Sequence, residues 1–161
     1  MTNLIQTLIS GLSLGSIYAL IALGYTMVYG IAKMLNFAHG DIIMVGAYAV
    51  ISTVSLAQLP GVVGVAVSVV VCVFLGVTIE FLAYRPLRKA PSLAVLITAI
   101  GVSYLLQSLA LLVFKSEPKA FPTIIEIPSL TFGGVVIDGM TLLTLAVTAV
   151  IMISLSLFIN K

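Results

Sequence analysis

Residues 42–79 read IIMVGAYAVISTVSLAQLPGVVGVAVSVVVCVFLGVTI, 38 consecutive positions without a charged side chain. A helix needs about 20 apolar residues to cross the hydrocarbon of a bilayer. The run is therefore too long for one crossing. Leu59-Pro60-Gly61 is a strong turn signal, and it divides the run into two spans. Three further charge-free stretches flank it: 1–32, 90–114 and 139–160, of 32, 25 and 22 residues. Hydrophobic residues make up 61% of the chain and charged residues 7%, against about 25% charged in an ordinary soluble domain. Twelve charged side chains (seven basic, five acidic) cannot cover a soluble fold of 161 residues. The expected fold class is all-α: a polytopic transmembrane helical bundle with about five spans, at 4–30, 42–59, 61–82, 93–114 and 140–159. The apolar runs are continuous rather than alternating, which disfavours a β-barrel.

Orientation follows from Lys and Arg in short loops. Arg85, Arg88 and Lys89 cluster between the third and fourth spans, which places that loop in the cytoplasm. Lys33 and Lys161 then fall inside, Lys115 and Lys119 outside, and the N-terminus outside. A re-entrant first segment would overturn that last placement. The N-terminus lacks a basic n-region, so the first apolar run reads as a retained helix. Segment 115–139 is the one long polar connection. Pro118, Pro122 and Pro128 exclude a regular helix there. Gly133-Gly134 between SLTF and VVID reads as a hairpin turn, making this segment a small external cap.

Several residues stand out against the apolar background. Gly11, Gly15 and Ala19, at four-residue spacing, form a stripe suited to close helix packing, as do Ser68, Cys72 and Gly76. Cys72 is the only cysteine, so no intrachain disulfide forms, and it reads as a packing residue. The densest polar cluster lies at 33–41, with Lys33, Asn36, His39 and Asp41. His39 and Asp41 supply too few ligands for a metal. The bland reading is a loop capping two helices, with Asp41 at the N-terminus of the second span. The sharper one gives Asn36, His39 and Asp41 a functional role as a hinge or proton relay. Glu80 reads as a local ion pair or a snorkelled carboxylate, Tyr25, Tyr29 and Tyr84 as an interfacial aromatic belt, and Gln107 as a hydrogen-bonding group across helices or along a pathway. No phosphate-binding loop, zinc-protease helix or nucleophile elbow is present. No catalytic residue, cofactor or metal is expected, and a net charge of +2 set between spans gives no reason to expect nucleic acid binding.

The motifs GLSLGSIYALIALGYTMVYGIAKMLNFAHGDIIMVGAY (11–48) and IEFLAYRPLRKAPSLAVLITAIGVSYLLQ (79–107) resemble bacterial branched-chain amino acid ABC transporter permeases of the LivH type. SEPKAFP and FGGVVI continue the resemblance, which covers essentially the whole chain. It implies a multi-pass protein of the bacterial cytoplasmic (inner) membrane that carries leucine, isoleucine or valine. It also implies partners: a second, LivM-like permease, two ATPase subunits, a periplasmic or extracellular substrate-binding protein, and the lipid bilayer. The cap at 115–139 would face the binding protein. Relatives importing urea or short amides share much of the signature. Members of the family are nearly twice this long and continue into a basic cytoplasmic coupling loop, so these residues are expected to be the N-terminal part of a permease. Two readings from other classes stand beside it. One is a small ATP-independent channel or proton-coupled carrier using Lys33, His39 and Asp41, sensitive to pH near the histidine value of about 6.5. The other is an assembly partner that carries no flux.

Overall fold

The computed structural model describes residues 2–33, 35–125, 127–132 and 135–159. In chain order these form α1 (Thr2–Ala32), α2 (His39–Ile51), α3 (Gly61–Ile79), α4 (Ser92–Phe114), β1 (Leu130–Phe132), β2 (Val135–Ile137) and α5 (Gly139–Ile159). Five helical segments are long and apolar enough to cross a membrane. The described residues gather into two compact units, 1–27 with 126–161, and 28–125.

In the unit 28–125, prolines set the helix starts. Pro60 and Pro91 are the N-caps of α3 and α4, both extended (φ −56°, ψ 145° and φ −57°, ψ 146°). Proline lacks the N–H that a first turn leaves unsatisfied, so it opens a helix at little cost. Lysines close α1 and α4: Lys33 and Lys115 both adopt left-handed backbone (φ 54° and 62°). Each N–H bonds back to a carbonyl four residues earlier, at Tyr29 and Leu111, which satisfies part of the frayed helix end.

Two helices continue past their α-helical bounds as wider π-helical turns. α2 runs on through Ser52–Leu56, and α3 through Glu80–Tyr84 and then a 3₁₀ turn at Arg85–Leu87. The second π turn has a cause in Pro86. A proline ring clashes with the carbonyl four residues back in a regular helix. Here the Arg85 N–H bonds to the Glu80 carbonyl five residues back, and the widened turn admits Pro86. The helical path of α3 therefore extends to residue 87, beyond the boundary at 82 expected from hydropathy.

α2 and α3 form an antiparallel hairpin whose contact is made by small residues. Ser68 Oγ donates to the Gly46 carbonyl at 2.9 Å, and Cys72 Sγ lies 3.6 Å from the Ile42 carbonyl. A Cβ on Gly46 would sit 2.8 Å from Cys72 Sγ and 3.0 Å from Ser68 Oγ. Ser68 and Cys72 thus pack as their spacing predicts. α4 runs alongside α2, with the Tyr48 and Phe114 rings stacked at 4.0 Å. The core of the unit is Ala38, Ile79, Tyr84, Val95, Ala99 and Leu106. The outer faces are apolar: Leu56, Phe74 and Leu112 expose 74–80% of their surface, a surface suited to lipid rather than water.

In the unit of residues 1–27 and 126–161, β1 and β2 pair antiparallel, Leu130 opposite Ile137 and Phe132 opposite Val135. This is the hairpin expected from the sequence, although Gly133-Gly134 lie outside the described residues. Ser16 and Thr148 are buried, and Ser16 Oγ donates to the Ser13 carbonyl at 2.7 Å. The Gly11 and Gly15 faces are open, since an added Cβ meets nothing within 4 Å.

The α2–α3 contact predicts that Gly46→Leu destabilises the chain by about 1–3 kcal/mol through overpacking, whereas Ser68→Ala costs about 0.6 kcal/mol. Unfolding in detergent micelles, followed by circular dichroism, checks both values and their order.

Candidate functional site

Asp41 belongs to the first turn of α2. A carboxylate there is favoured by the helix dipole, but its side chain does not cap the helix. It turns toward α4 and is buried, 8% exposed. The Ser103 hydroxyl donates to Asp41 Oδ2, and Gln107 Nε2 donates to Asp41 Oδ1 at 3.0 Å. Gln107 Nε2 also lies 3.2 Å from Ser103 Oγ. Ser103 and Gln107 are spaced i,i+4 on one face of α4, so the three side chains close a small ring of hydrogen bonds.

The depth of this ring matters. Ser103 lies near the midpoint of the 23-residue α4, about 16 Å along the axis from Ser92 at 1.5 Å per residue. In a bilayer spanned by α4, Asp41 sits at hydrocarbon depth. The segment leading to it from α1 turns inward only at its end: Ala38 is fully buried, whereas Lys33, Leu35 and Phe37 are exposed. The expected start of the second span at residue 42 is also displaced, since α2 begins at His39.

The energetics allow it. An aspartate at the centre of a span costs about 2.5–3.5 kcal/mol on insertion scales. Hydrogen bonds to a charged group contribute about 1.5–3 kcal/mol each, and a helix N-terminus up to about 2 kcal/mol. Two donors and the start of α2 offset the cost without a cation, and no ion pair to Asp41 forms among the described residues.

Asn36 holds the other end of the break. Its Oδ1 accepts from the Ala38 N–H at 3.1 Å, and its carbonyl accepts from the His39 N–H at 3.2 Å. This local turn is one asparagine forms readily. The same Oδ1 accepts from the Tyr84 hydroxyl at 2.7 Å. Tyr84 is 7% exposed, so it is a buried anchor and not a member of an interfacial belt. The π turn at Glu80–Tyr84 positions it against the break.

Glu80 pairs with Arg88, Nη2 to Oε1 at 2.6 Å, with both side chains substantially exposed. An exposed pair contributes little to stability, about 0–1 kcal/mol. Arg85 instead lies over the Phe81 ring, 5.1 Å from its centroid. Asn36, His39, Glu80 and Tyr84 border a pocket of about 190 Å³. A second, more open depression of about 390 Å³ is bordered by Tyr29, Lys33 and the first turn of α4. Among the described residues no three His, Cys, Asp or Glu side chains group as metal ligands.

The structure thus divides the polar cluster seen in the sequence. Asp41 faces α4 with Ser103 and Gln107, while Asn36 and His39 face α3 with Tyr84 and Glu80. Gln107 hydrogen-bonds across helices, one of the two roles its sequence position suggests. Ser103 escaped the sequence reading, although its i,i+4 spacing from Gln107 on an apolar helix is a usable signal. The ring predicts a coupling energy of about 0.6–1.7 kcal/mol between Asp41→Asn and Gln107→Leu. A double-mutant cycle of unfolding free energies in detergent measures it, and strict additivity would contradict the ring.

Comparison with known proteins supplies the context for this site. Residues 7–159 match the family described as branched-chain amino acid transport system / permease component. The chain is 43% identical to the high-affinity branched-chain amino acid transport system permease protein BraD of Pseudomonas aeruginosa, over 98% of the chain and 55% of that protein. It is 40% identical to the corresponding permease protein LivH of Escherichia coli K12 and 39% to LivH of Salmonella typhimurium, in each case over 74% of the chain and 42% of the relative. The chain spans about half the length of the curated relatives it matches. No solved structure matches it. The chain is a membrane protein, and it belongs to the family of branched-chain amino acid transport system permease components.

Proposed function

We propose that this chain is part of the permease subunit of an ABC importer for leucine, isoleucine and valine in a bacterial inner membrane. The observation that carries the reading is the family match across residues 7–159. The interior supports it. Polar side chains at bilayer depth are expensive and are found mainly where a substrate or ion must pass or a helix must move. Here they gather at a break between α1 and α2. Broken helices at midplane are a recurring device of transporters, because they expose backbone and polar groups only where the protein covers them.

In this assignment Asn36, His39 and Asp41 serve the change of shape that alternates access. Ser103 and Gln107 hold Asp41, and Tyr84 holds Asn36. A second permease completes the pathway, two ATPase subunits dock on the side of Arg85, Arg88 and Lys89, and a binding protein delivers substrate to the opposite face at 115–139. The open stripe of Gly11, Gly15 and Ala19 packs against a neighbouring helix of that assembly. The chain itself performs no covalent chemistry, and ATP hydrolysis resides on the partner subunits.

The reading predicts binding-protein-dependent uptake of labelled leucine that is lost without this chain and collapses when ATP hydrolysis is blocked. Counting labelled leucine in cells with and without the chain checks it. Uptake that persists without ATP hydrolysis and changes with pH would reject the importer in favour of a proton-coupled carrier.

A further inference from the structure

The last turn of α1 and the first turn of α4 meet around the open depression of about 390 Å³. Three of its lining side chains are polar: Tyr29, Lys33 and Ser92. None of the three makes a side-chain hydrogen bond or an ion pair among the described residues. No carboxylate borders the depression among those residues. Glu80 is taken by Arg88, and Asp41 by Ser103 and Gln107. An ammonium group and two hydroxyls thus converge on one concavity with nothing in the chain to neutralise the charge.

The surroundings carry charge of the same sign. Lys89 stands three residues before Ser92, within about 11 Å along the chain. It makes no ion pair among the described residues, and Arg85 lies over the Phe81 ring. The first turn of α4 adds unpaired N–H groups and the positive end of a helix dipole. The rest of the wall is apolar. Val95 is buried, while Leu35 and Leu93 expose 42% and 65% of their surface, so the concavity opens onto the outer apolar face. A free phosphate ion has no use for those leucines, and an acyl chain alone has none for Lys33. A phospholipid with a net negative headgroup matches both.

We propose that this depression binds one anionic phospholipid of the inner leaflet. Arg85, Arg88 and Lys89 set this end of α4 on the cytoplasmic side, where basic pockets between membrane helices recurrently hold anionic headgroups. The phosphate is held by Lys33, Ser92 and the Tyr29 hydroxyl. The acyl chains lie along Leu35, Leu93 and Leu96. The bound lipid ties the end of α1 to the start of α4.

The test uses the complete transporter, with the full-length permease, purified in detergent and titrated with phosphatidylglycerol or with zwitterionic phosphatidylethanolamine. Native mass spectrometry counts the lipids retained. The readout is bound lipid, so it is independent of the substrate carried. The parental complex is expected to retain phosphatidylglycerol in preference to phosphatidylethanolamine. Lys33→Gln weakens phosphatidylglycerol binding about fivefold, the share of one lysine at a membrane surface, and Lys33→Arg leaves it unchanged. Ser92→Asp is a second variant. It suits the helix start, where a carboxylate is favoured, but repels the headgroup, so binding falls at least as far. Intact subunit composition in the same spectra shows that each variant has assembled. Equal retention of phosphatidylglycerol by the parental complex, Lys33→Gln and Ser92→Asp would overturn the proposal. So would equal retention of the two lipids by the parental complex. Displacement of the lipid by millimolar inorganic phosphate would also overturn it, because the depression would then be a site for a soluble anion.

Discussion

A carboxylate at the middle of a helical bundle must be held, and the hold on Asp41 organises everything around it. Ser103 and Gln107 bind its two oxygens from α4. That ties the first turn of α2 to the midpoint of a full-length helix. The chain leaving α1 turns inward at Ala38 to reach it. Ala38 and Ala99 are both fully buried, because only small side chains let the segment pass so close to its neighbours. The π turn before Pro86 brings Tyr84 inward to Asn36, and Asn36 satisfies the backbone of the break. Each of these features would be without purpose if Asp41 lay in a loop at the surface.

The molecule inverts the usual arrangement of a soluble fold. Its outer faces are rich in leucine, valine and phenylalanine, while Ser16, Asp41, Thr53 and Thr148 are buried. In hydrocarbon, no hydrophobic effect drives the helices together, so close packing and hydrogen bonds across helices must do so. The α2–α3 hairpin uses both means, since Gly46 admits Ser68 and Cys72, and Ser68 bonds the Gly46 carbonyl. The polar pairs then mark two places where the bundle departs from simple packing. One is the Asp41 ring, and the other is the pocket bordered by Asn36 and Tyr84. A small break flanked by two polar anchors is the kind of element that can hold two arrangements.

Much of the architecture was legible in the residues. The charge-free runs mark five helices, Pro60 marks where α3 begins, and the SLTF–VVID pattern marks the hairpin strands. Ser68 and Cys72 announced their packing by spacing alone. What escaped was depth. Lys33, Asn36, His39 and Asp41 look the same whether they lie in a surface loop or in a break within the membrane, because a local pattern says nothing of the partner helix. Ser103 is inconspicuous, since serine is ordinary among small residues in membrane helices. Tyr84 carried the signature of an interfacial ring, and only the widened turn before Pro86 reveals that it points inward. Glu80 was legible as an ion pair, but its partner is Arg88 rather than the nearer Arg85, which the Phe81 ring engages instead.

The central claim is that α2 begins inside the membrane. Gly40 is exposed next to Asp41, and an added Cβ there meets nothing within 4 Å, which makes it a site for a spin label. Power-saturation electron paramagnetic resonance of Gly40→Cys, in a Cys72→Ala background in lipid bilayers, measures how deep that label lies. The account predicts a position closer to the bilayer centre than to the headgroups, which begin about 15 Å from it. A label at headgroup depth would contradict it.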